Sequence, residues 1–159
     1  MAGVSVEIVT SGLNEAVALI EGIANAPKHE LLENWGRLTQ EQTRRRIAEE
    51  KTSPDGAAWP PSRSNPNTLL LSGALMNSID YAAGADQVET GSGLIYASVH
   101  QDGATIKAKD AKALAFMIGN EQVFAQSVTI PARPFLGLSA DNAEELIEAT
   151  EDWVRSLIQ

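Results

Sequence analysis

Apolar positions recur at helical spacing in some stretches of this chain and alternate in others, which predicts a mixed fold. Val4, Val6 and Ile8 alternate with Ser5, Glu7 and Val9 and predict a short first strand. Leu13, Val17, Ile20 and Ala24 then predict an amphipathic helix over residues 13–24. Asn25-Ala26-Pro27 suits a restart, because Asn caps helices and Pro fits a first turn. The next helix runs from Lys28 to about Glu50. Its first half presents Leu31, Trp35 and Leu38 on one face. Its second half, QEQTRRRIAEE, is mostly polar and reads as exposed or packed on a partner.

A short helix is predicted from Thr68 to Ser78, with Gly73 inside it at some cost in propensity. Strands follow at Ile79–Ala83, Gln87–Thr90 and Leu94–Val99, split by Gly84 and Gly91-Ser92-Gly93, in the manner of an antiparallel meander. Ala113–Ile118 and Gln122–Ile130 form a hairpin around Gly119-Asn120. Leu146, Ile147, Thr150, Val154 and Leu157 stripe a last helix, capped by Ser139 or Asp141. The fold class expected is α+β: an antiparallel sheet (meander plus hairpin) packed by N-terminal helices and a C-terminal helix.

Punctuation marks two irregular regions within one domain spanning residues 1–159. Residues 51–67 hold four of the seven prolines, and Pro54-Asp55-Gly56 is a turn. Trp59 in that loop needs somewhere to pack, unless the loop is an arm that orders on assembly. An excursion covers about residues 104–130, and within it Lys107, Lys109 and Lys112 stand against Asp110 alone.

Composition narrows the function classes. A formal net charge of -9 opposes broad binding to nucleic acid phosphate, leaving only a local basic patch. The absence of cysteine excludes disulfides and thiolate metal sites. The start, MAGVSVEIVTSG, does not have the form of a secretory signal, and no apolar run is long enough to span a membrane. A soluble protein is expected.

No catalytic constellation emerges. His29 and His100 fall in different elements and in no metal-binding spacing. His100-Gln101-Asp102 has no nucleophile or second acid nominated beside it, and is read as a polar contact at a strand end. Gly91-Ser92-Gly93 lies between strands and is no phosphate cradle. The carboxylates of the last helix lie on one surface face, solvated or awaiting a basic partner. Arg44, Arg45 and Arg46 read either as a nucleic-acid contact or as a solvated face paired with Glu41, Glu49 and Glu50. No cofactor, metal, small-molecule substrate or membrane partner is expected.

Four segments, SPDGAAWPP (53–61), LLLSGALMNSI (69–79), YASVHQDG (96–103) and IPARPFLGLS (130–139), occur in this order. Together they resemble the phage virion morphogenesis family, the tail completion proteins of Mu-like and related tailed bacteriophages. The resemblance spans roughly residues 50–158 and leaves the three arginines without a family role. It implies a non-enzymatic subunit made in the host cytoplasm and carried at the tail end or neck of the virion. It also implies self-association, a hexameric ring among the forms, and contact with other tail or neck proteins. Ile106, Lys107, Lys109 and Lys112 would then face DNA in a lumen, face an acidic neighbour, or merely guard an edge against aggregation. Arg133, fixed between two prolines, is expected to make an intermolecular contact, and Phe135 to sit in the core.

Overall fold

The computed structural model describes residues 12–62, 68–109, 112–118 and 120–158, so the strand expected over 4–9 lies outside it. Helix α1 (Leu13–Ala24) forms where expected, but its apolar stripe of Leu13, Val17 and Ile20 is exposed. Helix α2 (Lys28–Arg45) continues into a π-helical turn, Arg46–Glu50, which Lys51 ends in a left-handed conformation. Helix α5 (Ala140–Leu157) closes the chain, with Ser139 as its cap: the hydroxyl accepts from the Asn142 amide at 3.2 Å.

Antiparallel pairing accounts for every described strand. β1 (Ile79–Ala83) pairs with β2 (Val88–Ser92). Helix α2 packs across this pair on one side and against α5 on the other. On the sheet side Tyr81 lies against Gly36, and the Thr39 and Thr90 hydroxyls meet at 2.6 Å. On the helix side the Trp35 indole donates to the Thr150 hydroxyl at 3.1 Å.

The remaining strands make one long ribbon. β3 (Ala104–Lys107) pairs with β6 (Ser127–Ile130) at its base, and β4 (Leu114–Ile118) pairs with β5 (Glu121–Ala125) at its tip. Between the two pairs the Ala108 amide donates to the Gln126 carbonyl at 3.0 Å.

Three local expectations are corrected. The segment read as a third meander strand, Leu94–Val99, is a turn leading into helix α4 (Ala97–Asp102). The helix expected over 68–78 is only the single turn α3 (Ala74–Asn77), because Gly73 sits at a φ of 76° and starts it instead of lying inside it. The single arm read over Gln122–Ile130 divides at Gln126 into β5 and β6. The α+β class, the antiparallel pairing and the C-terminal helix stand as expected.

The core cluster joins Ile47, Trp59, Leu69, Leu75, Ile79, Ala97 and Phe135. It therefore draws on the π-turn, the proline-rich loop, α3, β1, α4 and the segment before α5, and on nothing from the ribbon. Gly36 sets how closely α2 approaches the sheet, since a Cβ there would fall 2.1 Å from the Tyr81 ring. Gly36→Ala should gain about 1 kcal/mol in helix propensity and lose about 1–3 kcal/mol or more to overpacking. Net destabilisation in urea unfolding is expected; a more stable variant would show that the helix and sheet can separate freely.

Candidate functional site

The segment from Pro131 to Leu138 belongs to no helix or strand, yet Arg133 and Phe135 within it are buried. Buried backbone without a ladder must find its hydrogen bonds elsewhere. Here side chains from two of the other motifs and from the π-turn supply them. The Gln101 carboxamide accepts from the Phe135 and Leu136 amides, both at 3.0 Å, and donates to the Leu136 carbonyl at 3.3 Å. The Trp59 indole donates to the Pro134 carbonyl at 2.9 Å. The Arg46 guanidinium donates to the Phe135 carbonyl at 3.0 Å and the Gly137 carbonyl at 2.7 Å, and also to the Asn142 side-chain oxygen.

The segment returns one of these contacts through Arg133. Its guanidinium donates to the Pro60 and Pro61 carbonyls at 2.7 and 3.0 Å, and its amide donates to the His100 carbonyl at 2.7 Å. A Cβ on Gly137 would fall 2.7 Å from the Pro54 ring, so the PDG turn presses directly on this segment. The four sequence segments, far apart in the chain, therefore converge on one buried hub. The polypeptide between β6 and α5 is its centre.

This placement changes the reading of four basic residues. Arg46 is only 1 % exposed, neither a nucleic-acid contact nor part of a solvated face. Arg133, expected to contact a partner, is 5 % exposed, and its guanidinium is engaged by carbonyls of its own chain. Arg44 donates to the Ile79 carbonyl at 2.8 Å. Arg45 alone resembles the solvated reading, bridging Glu50 at 3.1 Å and Glu145 at 2.9 Å. The polar second half of that helix is divided: Gln42 and Thr43 are buried, with Gln42 donating to Glu145 at 2.7 Å, while Glu41, Glu49 and Glu50 are exposed. Arginine is suited to this use because its planar fork serves several acceptors at once.

The ribbon is the opposite case. Ile106, Lys107, Lys109 and Lys112 are all exposed on it. Its outer face adds Met117 and Phe124, at 58 % and 66 % exposure. Its inner face, including Phe116, Ile118 and Val123, lines an open cavity of about 720 Å³ with Pro61, His100 and Arg133. His100 lies in α4 and not at a strand end; its ring meets Tyr96 edge-on at 5.8 Å. Among the described residues no group of three or more His, Asp or Glu is placed to hold a metal ion. No described helix is long and apolar enough to cross a membrane.

Two titrating groups report on the body. Burial, and then the Arg133 charge, hold the His100 imidazole below its ordinary range. The Gln42 hydrogen bond, and then Arg45, hold the Glu145 carboxyl below its ordinary range. In both cases the unfolded chain binds the proton more readily. The associated stability is present above the unfolded value and is lost as pH falls through the folded one. Stability should therefore begin to drop as the pH falls through the ordinary histidine range and below it, with His100 titrating before Glu145. His100→Gln should flatten that first part of the curve in urea unfolding; an unchanged slope would locate the titration elsewhere.

Arg46→Ala would strand three acceptors inside the hub and should cost about 3 kcal/mol or more. Arg46→Lys should recover only part of this, since an ammonium cannot fork between the same partners. A loss below about 1 kcal/mol in chemical denaturation would mean that water replaces the guanidinium without strain.

The family model that matches this chain is that of the phage virion morphogenesis family, over residues 4–155. Comparison with curated proteins and with solved structures gave no match. With nearly its whole length matched and its four motifs gathered in one hub, the chain belongs to the phage virion morphogenesis family and serves in the structure or assembly of the phage particle.

Proposed function

We propose that the chain is a non-enzymatic subunit that completes the tail and joins it to the head, working as a ring of copies. It would assemble in the host cytoplasm and remain at the tail end or neck of the virion. The observation that carries this reading is a division of labour. The motif residues are used up in holding the body together, while the ribbon exposes apolar and basic side chains that the body does not use. An exposed apolar surface on a folded protein marks a place for a partner. The basic residues Lys107, Lys109 and Lys112, with Ile106, are the contact set of that surface; Arg44, Arg45, Arg46 and Arg133 support the body behind it.

Removing the gene from its phage should leave filled heads and tails that fail to join, visible by negative-stain microscopy, with infectious titre falling by several orders of magnitude. Complementation with the wild-type chain should restore joining. Heads that lose their DNA beside normal tails would reassign the chain to head closure. Complete, infectious particles would overturn the assembly role at the junction altogether.

A further inference from the structure

The ribbon tip is apolar on two faces. The pairs Ala115–Phe124 and Met117–Gln122 place Met117 and Phe124 on its outer face, while Phe116 and Val123 turn inward. A two-stranded ribbon of this kind gains little stability alone and needs cover. Phe124 lies in the second residue pair from the end of β4–β5 that adjoins loop 108–113, which carries Lys109 and Lys112.

The body holds a surface of opposite form. Between α2 and α5 runs an open, almost wholly apolar groove of about 510 Å³, lined by Trp35, Ile147, Thr150 and Val154, with Glu151 and Arg155 at its edge. Ile147 is 58 % exposed there. Arg155 is already engaged by Glu151 at 3.0 Å and Asp152 at 2.8 Å. Glu144 and Glu148 are exposed on the same helix beside the groove, so the outer face of α5 is acidic on balance.

We propose that the ribbon tip of one copy seats in the α2–α5 groove of the next, with Phe124 and Met117 in the groove. Lys107, Lys109 and Lys112 then lie along the acidic face of α5. Both halves of the contact are on this chain, and among the described residues neither half is covered. Apolar fits apolar and basic meets acidic, so the occupant argued for is a second copy. Such a contact is heterologous, since arm and groove are different patches, and repeated head to tail it closes a ring when the rotation between copies divides a full turn. The inference rests on the ring reading above and names the surfaces that make it. It also assigns the lysines to protein and not to DNA, in keeping with the chain's charge of -9.

The chain has no cysteine, so introduced thiols report without background. Full-length Phe124→Cys and Ile147→Cys chains, one lengthened by a tag, are mixed and mildly oxidised. The covalent heterodimer should exceed that from Phe124→Cys with Ala82→Cys by about tenfold or more, as proximity in a specific contact dictates. Reversing the three lysines to Glu should reduce it, and reversing Glu144 and Glu148 to Lys in the partner should restore it. Light scattering on the wild-type chain runs alongside. An oligomer without the cross-link overturns the arm-in-groove contact and leaves the ring standing, with the groove free for another phage protein or for residues 1–11. A monomer without the cross-link, up to about millimolar concentration, overturns both.

Discussion

Everything in the body depends on satisfying the backbone of one irregular, buried stretch. Residues 133–137 run between the ribbon and α5 with no ladder partner, and each unpaired amide or carbonyl there would cost about 1–3 kcal/mol. Gln101, Trp59 and Arg46 meet that demand from three separate elements. The hydrogen bonds also fix position, because the donors and acceptors are short, directional and carried by packed side chains. Phe135, fully buried at the same place, is then held in the middle of the core cluster. A sheet strand would have supplied the same bonds from its neighbours, but it could not have drawn a loop, two helices and a turn to one point.

The periodic parts of this architecture were legible in the sequence, and the parts fixed by distant partners were not. α1 and β1 appear with the bounds their patterns suggest, because each carries its apolar or alternating signal over a full element, and α2 starts where expected but gives way to the π-turn after Arg45, where its pattern turns polar. The stretch around Tyr96–Asp102 misleads for a physical reason. It is short and contains Val99, and its helical state is held by Gln101 docking on a segment some 34 residues away. Arg46 could not be placed from its neighbours at all. Three consecutive arginines look alike in sequence, and only acceptors roughly 90 residues downstream draw the third one inward. The resemblance carried by four short motifs was legible as a family signature. That those motifs touch one another, and so describe a scaffold and not a working surface, was not.

The contrast between the two halves of the molecule follows from what each buries. The body makes its polar contacts internally, with arginines where a smaller side chain would leave acceptors stranded. The ribbon is joined to it through Gly103, where a Cβ would fall 2.7 Å from the Ala132 amide, and through the Arg133 amide on the His100 carbonyl. Gly103 takes a φ of 73° at this junction, which lets helix α4 turn directly into the ribbon. Beyond that junction the ribbon's pairing is with itself.

The two ends of the ribbon, Ala104 and Ile130, stand opposite each other as paired residues. A segment whose ends meet behaves in heredity as a cassette. Recombination between related genomes can exchange everything between those two residues, lengthening or recharging the tip, while the body sees the same pair of strand ends. A virion protein built this way can change what its arm meets without relearning how to fold.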